Sequence, residues 1–221
     1  MAPKLYILAS ITKIMKELWS TVVGSHMWKM ATPQSDMDIF VCEIASSKDI
    51  LIGKTFKPVE THLPKDKIDM SSFEIGHVIN MLIKGNINFV WGLTSPEITT
   101  TSKAHEELMD IYTQQMAKNI YHSTNGLFVH NYRDYVEKTK TPKQKRIWMM
   151  YRTLQFTTRL LDTGVFDYSP TTKEVTVEML KEAHEDLHNA YAASDLPEVP
   201  DPAPFMEFLY ELRILDLCDA I

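Results

Sequence analysis

The chain has 221 residues, 44% of them hydrophobic, enough to bury one sizeable core or two small ones. A formal charge of −6 and a pI near 5.7 exclude a protein that coats nucleic acid through bulk positive charge, though not one with a local basic groove. Cys42 and Cys218 match no zinc spacing and read as reduced thiols. The apolar run before Lys13 is too short for a signal peptide or a membrane span, so the cytoplasm is the expected compartment.

Leu8, Ile11, Met15 and Leu18 recur at helical spacing, which predicts an amphipathic helix over about Leu5–Trp19. A short apolar run, Thr21–Val23, then ends in Gly24 and Ser25. Beyond a short helical turn, Asp36, Met37 and Asp38 open a second apolar run, Ile39–Val41. The predicted order is strand, tight turn, short helical turn, strand. Alternation along a strand puts Asp36 and Asp38 on one side, about 7 Å apart along the chain. That spacing suits two oxygen-ligated divalent cations sharing both carboxylates. Gly24 lets backbone approach a ligand closely, and Ser25 opens a turn whose free N–H groups can hold phosphate oxygens. Glu43 faces away from the pair and is expected at the surface.

Gly24-Ser25 followed by Asp36-x-Asp38 resembles the signature of nucleotidyltransferases of the DNA polymerase beta superfamily. The string from Gly24 to Val41, GSHMWKMATPQSDMDIFV, resembles more narrowly the RlaP-like branch, whose members read GS-x-x-x-G-x-A-T-P-x-S-D-x-D. Lys29 stands where that pattern has glycine, so the turn has to be made without it.

Ser46–Asp66 is polar and irregular, punctuated by Gly53, Pro58 and Pro64; whether Ile50–Ile52 is helical or extended stays open. Lys67–Met70 reads as a short strand with Asp69 between apolar residues. Ser71 and Glu74 form a capping-box pattern opening a helix through Ile75, Val78, Ile79 and Leu82, with Gly85 at its C-terminal end. This stretch also resembles the RlaP-like family, which implies that Asp69 is the third metal carboxylate.

From about Lys103 the chain is mostly helical, with candidates at Ala104–Ile120, Leu127–Lys138, Lys143–Leu161 and Thr176–Ala193. Gly164 closes the third. The proline-rich Ser194–Pro204 reads as a linker before a last helix, Phe205–Leu217. The expected class is α+β. The resemblance implies a small mixed β-sheet core, a polymerase-beta-like palm, in residues 1–100, followed by a C-terminal α-helical domain, 101–221, closing the nucleotide cleft.

The chemistry so implied is transfer of a nucleoside monophosphate from an NTP to an acceptor hydroxyl, with release of pyrophosphate. Asp36 and Asp38 would hold two Mg²⁺ or Mn²⁺ ions, and Asp69 the ion nearer the acceptor, Asp69 also being the base by analogy. Gly24, Ser25 and the amides after them would cradle the phosphates, with His26 a further candidate contact. Lys138–Arg152 carries six positive residues and no acid, whereas Glu174–Ile221 carries twelve acids and two bases. Lys145, Arg152 and Arg159 recur every seven residues and form one cationic helical stripe; the resemblance implies that Lys145 and Arg152 contact the triphosphate. Trp28, Trp91, Tyr132 and Trp148 are candidates to stack on a base, although most aromatics at such spacings are core.

His184-Glu185-x-x-His188 matches a zinc-protease motif. Against that, His184 shares a face with Leu180, Leu187 and Tyr191, and no further histidine follows at ligand spacing. The resemblance points to an RNA end as acceptor, and the shortness of the apolar run leads to the expectation of no membrane partner. Nucleotidylation of a protein and a catalytically quiet nucleotide-binding module are the alternatives. Base preference, acceptor identity and oligomeric state are not legible.

Overall fold

A computed structural model describes residues 15–219 apart from 140, 142, 172 and 173. Its first element is β1 (Met15–Val23), so Met15–Trp19 is strand and not the end of a helix; residues 5–14 of the predicted helix lie outside the described residues. The reason is two-sided burial. β1 pairs with β2 (Met37–Ala45) on one side and β5 (Ile98–Thr100) on the other, and Leu18, Trp19, Ser20 and Thr21 are all buried. Such a strand loses its alternation and imitates a helix in sequence.

Five strands make one mixed sheet in the order β3-β4-β2-β1-β5, with β3 at Val59–Leu63 and β4 at Ile68–Glu74. Only the β2–β4 pair is parallel; the other pairs are antiparallel. β2 is covered on both faces. Phe40, Cys42 and Ile44 enter the main core, while Ile39 and Val41 pack with Met70 in a separate cluster. Glu43 is buried, against the surface expected of it, because that second face is not open to solvent.

Ser46–Asp66 is less irregular than its composition implies. It holds α2 (Ser47–Leu51) and the edge strand β3, whose exposed residues and flanking Pro58 and Pro64 hide it. The capping box is also corrected. Ser71 and Glu74 lie in β4, which continues beside β2 until Glu74 itself caps α3 (Ile75–Ile83), accepting from the Gly76 N–H at 2.7 Å. Gly85, at φ +68, ends that helix as expected, and α4 (Ile87–Thr94) follows.

The remaining helices are α5 (Lys103–Gln114), α6 (Ile120–Tyr132), α7 (Gln144–Thr163), α8 (Val177–Ala193) and α9 (Ala203–Asp219). Ser102 and Thr176 cap α5 and α8 with their side chains, and Gly164, at φ +70, closes α7. α6 runs into a π-helical turn at Arg133–Glu137. One apolar cluster links sheet and helices, from Trp19 through Phe156 to Phe208. Polar ties lock α9 to the sheet end: Arg213 donates to the Ala45 carbonyl at 2.9 Å and pairs with Glu74, and Asp216 accepts from the Ser47 N–H at 2.7 Å. Among the described residues no helix is long and apolar enough to cross a membrane.

Candidate functional site

Strand register assembles the site. Asp38 pairs with Asp69 across the parallel β2–β4 ladder, Asp69 pairs with His62 across β3–β4, and Asp38 pairs with Val23 across β1–β2. His62, Asp69, Asp38 and the end of β1 therefore stand in one row across four strands. Side chains at paired positions share a face of the sheet, so the two carboxylates come from separate segments to one place.

The chain after Val23 bends over this row. Gly24 has φ +64, a left-handed conformation that ordinary residues resist. A Cβ built on it would lie 2.2 Å from Asp38 Oδ2. The Asp38 carboxylate thus occupies the space a side chain would take, and glycine is demanded twice over. The four-residue α1 (Gly24–Met27) follows, with Ser25 and Met27 buried. Lys29 then adopts φ +56, the conformation for which the family pattern supplies glycine. It is exposed and adopts that conformation at a backbone cost of about 1–2 kcal/mol.

Four of the expected residues act on a fifth, Asp38. The Asp38 carboxyl is raised above its usual pKa by burial first, then by the charges of Asp69 and Asp36; His26 and Lys145 pull it down. Lys145 reaches this place from the first turn of α7, with Nζ 3.5 Å from Ser35 Oγ. His26 is half-buried, and its Nε2 has no hydrogen-bond partner among the described residues.

Arg152 is elsewhere. It is 3% exposed, donates to the Asp167 carbonyl, and sits 4.7 Å over the Trp28 ring. Arg159 pairs with the same Asp167 at 3.0 Å. Of the predicted cationic stripe only Lys145 points at the acids; its other two members converge on one carboxylate. Trp28 itself is core, packed among Trp91, Phe156 and Tyr168.

The residue missed by sequence reasoning is His62, whose Nδ1 lies 2.9 Å from Asp69 Oδ1. Its pKa is raised by that hydrogen bond. Only recognition of β3 and its register could have found it.

The carboxylates suit a hard divalent cation in donor type and charge, and the pressure on Asp38 is what such an ion relieves. In the present arrangement no three His, Cys, Asp or Glu side chains among the described residues are grouped closely enough to hold a metal. Asp69 is drawn toward His62, and gathering the acids on an ion takes side-chain rotation from positions that already share a face. The His184–His188 motif resolves differently. His184 Nε2 bonds Asn125 Oδ1 and His188 Nδ1 bonds Tyr121 Oη, each at 2.6 Å, so the pair links α8 to α6.

Residues 8–196 match a family profile described as "RlaP: RNA repair pathway DNA polymerase beta family". Over 152 residues the chain is 26% identical to an uncharacterized protein of Methanocaldococcus jannaschii, covering 67% of this chain and 62% of that protein. The chain thus spans less than two thirds of that relative's length. Among solved structures it is similar to a nucleotidyltransferase-like protein from Exiguobacterium sibiricum, with 11% identity and a TM-score of 0.32, over 80% of this chain and 59% of that one.

Proposed function

The chain belongs to the RlaP, RNA repair pathway DNA polymerase beta family, and from that membership we propose that it is a metal-dependent, template-independent nucleotidyltransferase acting on RNA ends. The observation that carries the reading is Asp38. Its carboxylate lies against the Gly24 backbone, under pressure from Asp36 and Asp69 and relieved by His26 and Lys145.

In this reading the acceptor oxygen attacks the α-phosphorus of an NTP, the bond from that phosphorus to the β-bridging oxygen breaks, and pyrophosphate leaves. Asp69 takes the hydroxyl proton at Oδ2, while His62 at Oδ1 orients it. Lys145 and His26 meet the negative charge of the triphosphate, and the Gly24–Ser25 bend lets it approach the backbone. Mg²⁺ or Mn²⁺ held by Asp36, Asp38 and Asp69 would supply charge neutralisation and lower the pKa of the acceptor hydroxyl. Arg152 acts indirectly, by holding Trp28 beneath the bend.

One observation favours the quiet nucleotide-binding reading: Asp69 is engaged by His62 and not by the other acids. Labelled NTPs, Mg²⁺ and a panel of RNA ends separate the cases. Label on RNA supports transfer to RNA, label on protein alone supports nucleotidylation of protein, and NTP binding without turnover supports the quiet module. Unchanged turnover in both Asp36→Asn and Asp38→Asn overturns the assignment.

A further inference from the structure

A cavity stands on the face of α7 next to the one that carries Lys145. Its volume is 190 Å³, and it opens between α4, α6, the π-helical turn and α7. Asn88, Trp91, Phe128, Asn131, Tyr135 and Arg146 line it. Engineered cavities of about 150 Å³ admit benzene, so this one has room for a single planar ring system and little more.

Its chemistry is that of a base pocket. Trp91, Phe128 and Tyr135 offer aromatic walls. The Arg146 guanidinium stands 4.7 Å over the Tyr135 ring, a flat cationic surface of the kind on which bases stack. Asn88 and Asn131 bring carboxamides from different helices, and no hydrogen bond to either amide is present among the described residues. A carboxamide donates and accepts side by side, which matches the edge of a nucleobase. In the same wall the Trp91 indole N–H is buried with no acceptor among the described residues.

Position supports the assignment. Arg146 follows Lys145, whose ammonium faces the acids, so the cavity mouth and the acid cluster flank the same end of α7. The π-helical turn, a rare conformation that occurs frequently at functional sites, is what carries Tyr135 there. Exposed Lys143 lies near the rim in sequence and suits a phosphate backbone, whereas Lys138 is held by Asp134 at 2.8 Å.

We propose that this cavity binds one unstacked nucleobase, resting on the nucleotidyltransferase reading. The base comes from the incoming nucleotide or from the acceptor strand, and the chemistry is shared.

The test titrates the four ribonucleoside 5′-monophosphates into the full chain in EDTA, following tryptophan fluorescence and saturation-transfer NMR. Wild type is expected to bind at least one. Met149→Trp, which fills the cavity from a lining position, is expected to weaken binding at least tenfold with the fold retained. Asn88→Ala with Asn131→Ala is expected to weaken it by about tenfold, two hydrogen bonds' worth, and to change the ranking of bases. If Met149→Trp does not fold, the double alanine variant decides alone. Competition by NTP assigns the pocket to the incoming base; competition by a short oligoribonucleotide alone assigns it to the acceptor. Absence of binding by all four nucleotides, or unchanged binding in the variants, overturns the proposal. Failure of the catalytic reading is seen separately, as binding of monophosphates in EDTA together with no transfer from NTP to RNA once Mg²⁺ is supplied.

Discussion

Replacing Gly24 with alanine tests the geometry on which the site depends. The backbone there is at φ +64, and forcing an L-residue into that region costs about 1–2 kcal/mol. The new methyl would also lie 2.2 Å from Asp38 Oδ2, so the carboxylate has to retreat by more than an ångström to reach ordinary contact. Displacement of a reacting group by about 1 Å is worth roughly 100-fold in rate. Gly53→Ala is the matched control. Gly53 has φ +85 and nothing within 4 Å of its would-be Cβ, so it carries the backbone strain without the collision. Both variants are expected to lose about 1–2 kcal/mol in urea unfolding, or about 2–8 °C in Tm for a chain of this size. Gly24→Ala alone is expected to lose transfer to labelled RNA by about 100-fold or more. Turnover within threefold of wild type in Gly24→Ala, or an equal loss in Gly53→Ala, would refute the argument that Asp38 occupies the space beside Gly24.

Asp38→Asn is expected to abolish transfer while stabilising the metal-free protein at neutral pH. Because the folded-state pKa of Asp38 is raised, its contribution is fully present below the ordinary carboxylate value and is lost as pH rises through the raised one. Urea unfolding in EDTA across that window should show wild type losing stability relative to Asp38→Asn; parallel curves would remove the crowding argument. Mn²⁺ at about 100 times its Kd should stabilise wild type by about 2.7 kcal/mol and leave Asp36→Asn and Asp38→Asn nearly unmoved, as thermal shift reads directly. Lys145→Ala is expected to raise the apparent KM for NTP with little change in Tm. Arg152→Ala is expected to cost about 2–3 kcal/mol of stability, since a buried charged hydrogen bond and the cover over Trp28 go together. A stable Arg152→Ala with only a KM effect would return that side chain to the triphosphate.

The elements legible in the chain are those whose signals are local. Gly24, Ser25, Asp36 and Asp38 lie within fifteen residues, and a turn joining two strands brings them together almost regardless of the remainder. Gly85 and Gly164 announce helix ends because only a left-handed residue closes a helix in that way. Lys29 shows the limit of the same logic: its left-handed backbone is where the family pattern places glycine, yet an exposed loop tolerates lysine there.

What depended on the tertiary structure was decided by pairing partners distant in the chain. β1 is a strand through Met15–Trp19 because β2 and β5 flank it, and no residue within that stretch records its neighbours. Ser71 and Glu74 spell a capping box, but the ladder to β2 takes both into a strand. Register alone sets His62 beside Asp69, and the loop carrying Asp167 alone turns Arg152 inward while Lys145, on the same helical stripe, stays with the acids. Short-range patterns name the chemical groups; which of them meet is settled by strand register and helix packing, whose energies arise from contacts between separate segments of the chain.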